Sequence, residues 1–449
     1  MHTIRLADFA AGLKFEDLPA DVCDHARNCI QDTVGISIFG AQLPWGKIII
    51  DYARRNAASG PCTILGAPGS KISAPFAALA NGLLAHSFEM DSLRKPSAGV
   101  HPGGLVSPAL AAAETVDASG KDLITAFVAA MEVTTRIGNA TRHSCEKKGF
   151  HAPGLTGAFG AAVAAGNLLK LDTKHMCNAL GIAGSLCSGL MEYAKSGSGG
   201  MVKRLHIGRA AEGGVMAATL AKDGFEGPSS VLEGPFGFLS AFAEGAQPDK
   251  LTENLGETWE TRTICYKRCS CHITAHAPIQ AFEELRREIG FTGRDVESIV
   301  IGASKKVLGN HNHPEPKDTM AAQFSVPFSV ALSFYHNPMD PYSFMKVDIS
   351  DPEILELSRK IRLEFFEETA NPGQAWSCQV TVKLKDGRTA QKTMLDFRGS
   401  PTEPMSPEEF DAKFLAASRT LGAEKAAALL AGLKDLKNQK SIAKLLPSV

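Results

Sequence analysis

Charge of one sign is what this 449-residue chain most plainly lacks. Its 47 Lys and Arg stand against 48 Asp and Glu, a formal net charge of −1. No basic excess points to nucleic acid, and no block of like charge is long enough to form an interaction tail. No uninterrupted apolar run approaches the ~18–20 residues of a membrane span. The first residues, Met1 to Asp8, lack the charged-then-apolar pattern of an export signal. The expectation is a cytoplasmic protein with neither nucleic acid nor membrane as partner. Aromatic residues are sparse at 7%, and the ten cysteines are widely spread, as free thiols of a reducing compartment are. Nucleophile and nucleotide motifs are missing: there is no G-x-S-x-G elbow, no G-x-G-x-x-G after a strand and no G-x4-G-K-[ST] loop. Cys265, Cys269 and Cys271 with His272 and His276 invite a metal. Their spacing fits no common zinc pattern, and no second pair completes a tetrahedral set, so no metal and no cofactor is expected. What remains is His, Lys, Asp and Tyr, the equipment of cofactor-free proton transfer.

Ala and Gly are abundant, and 44% of residues are hydrophobic. A chain of this length exceeds one core, since single cores stop growing near ~250–300 residues. Apolar positions at three- and four-residue spacing predict helices over 22–39, 44–55, 75–88, 105–116, 122–137, 156–169, 174–190 and 202–222. Several, such as 157–169, are apolar nearly all round and belong in the middle of a bundle. The character changes near 257. Alternation and β-branched residues predict strands over 258–266, 296–303, 361–367, 378–383 and 388–394, with helices over 275–288 and 322–335. Asp386-Gly387 is a hairpin turn between the last two strands. Helices return over 406–420 and 423–433. The expected fold is mainly α: a large all-helical domain from both chain ends, 1–256 and 400–449, plus a smaller α+β domain over 257–399.

Candidate chemistry gathers in four segments. Helix 75–88 ends in His86, Glu89 and Asp91; Arg94 and Lys95 follow, and His101-Pro102 precedes the next apolar stretch. Acid, base and two cations between two buried segments suit a small carboxylate substrate. The same residues also serve as ordinary helix caps. A Gly/Ser loop at 196–200 opens a helix carrying Lys203, where free amides and the helix dipole favour an anion. Lys267 and His272 lie at the junction where the second domain begins, and His151 stands in a loop before an apolar helix.

These segments resemble the MmgE/PrpD family over nearly the whole chain. The resemblance is carried by Asn81-Gly82 through Asp91 with His101-Pro102, by Gly149-Phe150-His151, by Met201-Val202-Lys203 with Gly208-Arg209-Ala210-Ala211, by Gly224 to Pro228 with Leu232-Glu233-Gly234, and by Lys267 with His272 and His276. It implies a helical domain, a smaller lid, an active site between them and a homodimer. It places Asp91, His101, His151, Lys203, Lys267 and His272 on a polar cleft, with His86 and Arg94 beside them. The family includes dehydratases of 2-methylcitrate, decarboxylases of cis-aconitate and epimerases of iminodisuccinate. Many relatives carry Asp-Asp where this chain has Asp91-Ser92. One acid fewer favours an epimerase, which has no leaving hydroxyl to protonate. The expected activity is therefore iminodisuccinate epimerase-like, with proton abstraction next to a carboxylate of a small di- or tricarboxylate. His101 is the expected base, oriented by Asp91. Lys203, His151 or His272 is the acid, and Lys203, Lys267 and Arg94 hold carboxylates. The alternatives are a dehydratase or decarboxylase on the same residues, or a helical binding or scaffold protein.

Overall fold

The computed structural model describes residues 1–449 except 96–98, 143, 197–198, 372 and 447–449. The fold is mainly α with few strands in small sheets, as expected. The chain divides into two compact units. One comprises Met1–Ser87, Asp91–Ile264 and Ala417–Val449; the other comprises Phe88–Met90 and Cys265–Ala416. The sequence reading puts the corresponding boundaries at 257 and 400.

The first unit is helical. At its centre, Ala152–Leu168 is buried at every position, the fate of a helix apolar all round. It packs against Gly103–Val116, Gly120–Ala140, Thr173–Leu186 and Val202–Lys222. The abundance of small residues has a direct purpose here. A Cβ on Gly208 would stand 2.6 Å from the Leu79 carbonyl oxygen, and one on Gly214 would stand 2.3 Å from the Ala161 Cβ. Neither distance is possible, so the Val202–Lys222 helix approaches Ala74–Ala85 and Ala152–Leu168 only because these positions lack side chains. Among the described residues no single helix is long and apolar enough to cross a membrane.

The second unit holds a four-stranded sheet in the order Ile361–Phe365, Val296–Ala303, Cys378–Leu384, Thr389–Met394. The first pair is parallel and the other two are antiparallel. Cys378, Val380, Val382 and Leu384 point to the buried face, where the His276–Ile289 helix packs. Asp386-Gly387 makes the expected hairpin, with Gly387 at φ +92°.

Three expected elements come out differently. Helix 75–88 stops at Ala85, and Phe88 and Glu89 adopt left-handed φ of 65° and 54°. Of the expected strand 258–266, Ile264–Cys265 is a short strand and the middle is a 3-10 turn, Glu260–Thr263. The Glu132 carboxylate bends it by accepting from Glu260 N, Thr261 N and Thr261 Oγ1 at 2.9–3.0 Å. Helix 322–335 is two helices, Thr319–Phe324 and Val326–Tyr335. Ser325 separates them and caps the second by accepting from Phe328 N.

Candidate active site

In the helical unit, ends of buried helices deliver the expected residues to one place. His86 follows the C-terminus of Ala74–Ala85. His101 precedes Gly103–Val116, and its carbonyl accepts from Gly104 N. His151 stands immediately before Ala152–Leu168, and Lys203 lies in the first turn of Val202–Lys222. Loop ends of rigid helices are where a fixed constellation is cheaply built.

The centre of the group is Asp91, whose Oδ2 is 2.7 Å from His86 Nδ1 and 2.7 Å from His101 Nδ1. An ionised carboxylate only accepts, so both imidazoles donate from Nδ1 to one oxygen. That fixes both rings and leaves each Nε2 for other work. The two histidines differ in access: the His101 side chain is 16% exposed, the His86 side chain 2%. His86 Nε2 is buried and finds no partner among the described residues. The ring centroids of His86 and His101 are 4.8 Å apart, and that of His151 lies 5.8 Å from that of His86.

Burial sets the charge states. It pushes the His86 imidazole down to about 4, although Asp91 pulls the other way; Lys203 and His101 add to the depression. His151 is held well below the ordinary imidazole range by burial first, then by His86, Lys203 and His206. Burial alone would raise Asp91, but the two imidazoles and their N–H bonds hold it well below the usual carboxylate range. The cluster is thus one anion between two imidazoles, with a lysine charge close enough to bear on both His86 and His151. Ligand atoms of His86, Asp91 and His101 lie within 4.8 Å of one another, a spacing a divalent cation accepts. The Nδ1 protons that Asp91 takes would have to leave first.

Arg94, expected to hold a carboxylate, has an acidic partner within the helical unit. It is buried, and its Nη2 is 2.8 Å from Glu260 Oε2, an ion pair across the same unit. Its Nε and Nη1 find no partner among the described residues. The Gly/Ser loop expected to seat an anion includes Gly197 and Ser198, which lie outside the described residues.

Lys267 and His272 belong to the second unit. Lys267 is 3% exposed, and its Nζ donates to the Glu89 carbonyl and to Glu89 Oε2, both at 3.2 Å. Gln323 Nε2 donates to the Phe88 carbonyl at 2.8 Å and Lys413 Nζ to the Met90 carbonyl at 3.0 Å. Three successive carbonyls are thereby held by three side chains, which explains how the left-handed pair Phe88 and Glu89 is tolerated. His272 stacks on His311 with ring centroids 4.2 Å apart, and its Nδ1 is 2.9 Å from Thr274 Oγ1. Cys265, Cys269 and Cys271 are buried and outside any disulfide, and burial raises the Cys271 thiol well above its ordinary range. Sequence reasoning gave no role to His206, Glu260 or Tyr193. The i, i+3 spacing of Lys203 and His206 on one helix face was the available signal for His206.

Residues 4–251 match the MmgE/PrpD N-terminal domain, and residues 269–437 match the MmgE/PrpD C-terminal domain. The cis-aconitate decarboxylase of Aspergillus terreus (strain NIH 2624 / FGSC A1156) is 30% identical over 437 residues, covering 92% of this chain and 88% of that protein. The human cis-aconitate decarboxylase is 28% identical over 439 residues, covering 95% and 90%. The cis-aconitate decarboxylase-like protein oryM of Aspergillus oryzae (strain ATCC 42149 / RIB 40) is 27% identical over 442 residues, covering 92% and 89%.

Proposed function

The chain belongs to the MmgE/PrpD family, and we propose that it is a lyase that decarboxylates a small unsaturated tricarboxylate of the cis-aconitate type. The observation that carries this reading is the single carboxylate oxygen of Asp91 bridging two imidazoles, with His101 the more accessible. The relatives support a lyase over the epimerase expected from sequence. The argument for an epimerase rested on the missing second acid at Ser92. In the decarboxylase reading the acid is an imidazole held by Asp91, so a second carboxylate in the place of Ser92 is not needed.

The chemistry requires one proton per turnover. The bond to an allylic carboxylate breaks and CO2 leaves. The bonding pair forms a new C=C bond, and the old double bond shifts its electrons to the carbon beside a remaining carboxylate. That carbon takes a proton from Nε2 of His101, which enters the step as an imidazolium and keeps its Nδ1 proton on Asp91. Lys203 neutralises the charge that develops, as a fixed cation does in a water-poor site. His151 completes the group. The working protein is a cytoplasmic homodimer. His101→Ala should lower CO2 release from cis-aconitate by about 10²–10⁴-fold with the fold intact. A variant that keeps more than about a tenth of the rate would remove His101 from this role.

A further inference from the structure

One hydrogen bond in the helical unit has no part in the chemistry above. His151 Nδ1 and His206 Nδ1 stand 3.1 Å apart. A bond between two Nδ1 atoms needs a proton on one and a lone pair on the other, so the rings hold different tautomers. A proton that crosses the bond exchanges their roles. His151 is buried, whereas His206, one turn along the helix from Lys203, is half-buried. The pair therefore leads from the buried imidazoles toward a more accessible ring. Tyr193, also half-buried, packs edge-on against both rings, 5.8 Å from each. The backbone is shaped around the pair. His151 N donates to the Gly189 carbonyl at 2.9 Å. Gly189 has φ +142°, and a Cβ there would lie 3.1 Å from His206 Nδ1 and 3.6 Å from the His151 Cβ.

We propose that His206 is a positioning and proton-delivery residue that refills the buried imidazoles through His151 after each turnover. The inference rests on the decarboxylase reading, whose chemistry creates the need. Each CO2 released leaves a carbon that takes a proton from His101, and water must supply the replacement. His206 accepts a proton at Nε2 and passes its Nδ1 proton to His151 Nδ1. His151, then charged, turns to give its new Nδ1 proton inward and keeps its Nε2 proton, and half-buried His206 returns to its starting tautomer by exchange with water. The groups that bear on the pair are His86, His101 and Lys203, with Tyr193 against both rings. Burial keeps His86 and His151 neutral near pH 7, so neither stores a spare proton between turnovers.

His206→Gln separates delivery from structure, because an amide hydrogen-bonds to His151 but carries no proton. Both His206→Ala and His206→Gln should lower kcat for CO2 release about tenfold or more while KM changes little, at the lower end of acid–base effects because water partly bypasses the path. Added imidazole should restore part of the rate of His206→Ala. Gly189→Ala keeps both imidazoles but crowds the His206 ring, and should lose kcat to a similar degree. Wild-type kcat in His206→Gln would overturn the proposal, since a merely structural role survives that change. If the wild-type protein releases no CO2 from cis-aconitate, the decarboxylase reading fails instead. The pair is then judged by nitrogen NMR of histidine-labelled protein. One proton coupled to both ring nitrogens supports the proposal, and two separately solvated rings overturn it.

Discussion

Replacing Asp91 by asparagine removes one charge and changes almost nothing in shape. In the native site one carboxylate oxygen accepts two charge-assisted hydrogen bonds, each 2.7 Å long. Such bonds contribute about 1.5–3 kcal/mol each, against about 0.5–1.5 kcal/mol for neutral ones. The amide oxygen in the place of Oδ2 still accepts from both Nδ1 atoms, but without the negative charge. If about 1–1.5 kcal/mol is lost at each bond, the transition state loses about 2–3 kcal/mol, equivalent to about 30- to 150-fold in rate. The assay is CO2 release from cis-aconitate, with kcat and KM measured separately and thermal unfolding as the control for folding. Asp91→Asn should lower kcat by at least about 30-fold with a smaller change in KM. A folded Asp91→Asn protein within about threefold of wild-type kcat would refute the role given to the bridge.

Three further outcomes follow from the same site. His86 titrates near 4 in the folded protein instead of near 6.5, so the folded state binds fewer protons than the unfolded chain between those values. Its contribution to stability is complete above pH 6.5 and is lost as pH falls toward 4, about 2 kcal/mol by pH 5; urea unfolding at pH 7.5 and pH 5 should show the drop, and His86→Asn should flatten it. Lys203→Ala should reduce both binding and turnover; Lys203→Arg should keep much of the activity if the residue only holds a carboxylate, and should fail as badly as Ala if it moves a proton, because guanidinium stays protonated. Prolonged chelation should leave turnover unchanged, because Asp91 already occupies the Nδ1 atoms of His86 and His101; loss of activity restored by one specific metal would revive a cation at these three residues.

Regular elements whose character is local were legible in the sequence. The periodic stretch 202–222 is the helix Val202–Lys222, and 296–303 is the strand Val296–Ala303. Errors arose where a distant side chain decided the local backbone. Thr258, Thr261, Thr263 and Ile264 carry the β-branched signature of a strand, yet Glu132 captures that backbone across 129 residues and turns it. Helix 75–88 is short because residues 88–90 are held by side chains from far along the chain, Lys267 among them at a separation of 178. The candidate site divides in the same way. His86, Asp91 and His101 lie within sixteen residues, so their meeting could be read from spacing. The Arg94–Glu260 ion pair could not be read from spacing, because the two residues are 166 apart. The His151–His206 bond, across 55 residues, gives no pattern in the sequence beyond the i, i+3 step from Lys203.

Epimerase and decarboxylase chemistry leave different marks on one substrate, so a single reaction separates them. The purified protein is incubated in D2O with cis-aconitate, and proton and carbon NMR follow substrate, product and CO2 together. The account predicts CO2 release in step with a dicarboxylate product carrying one deuterium on the carbon beside a carboxylate, with no deuterium in the recovered substrate. Deuterium entering the recovered substrate without CO2 release would contradict it, and would return the protein to the proton-exchange chemistry of an epimerase.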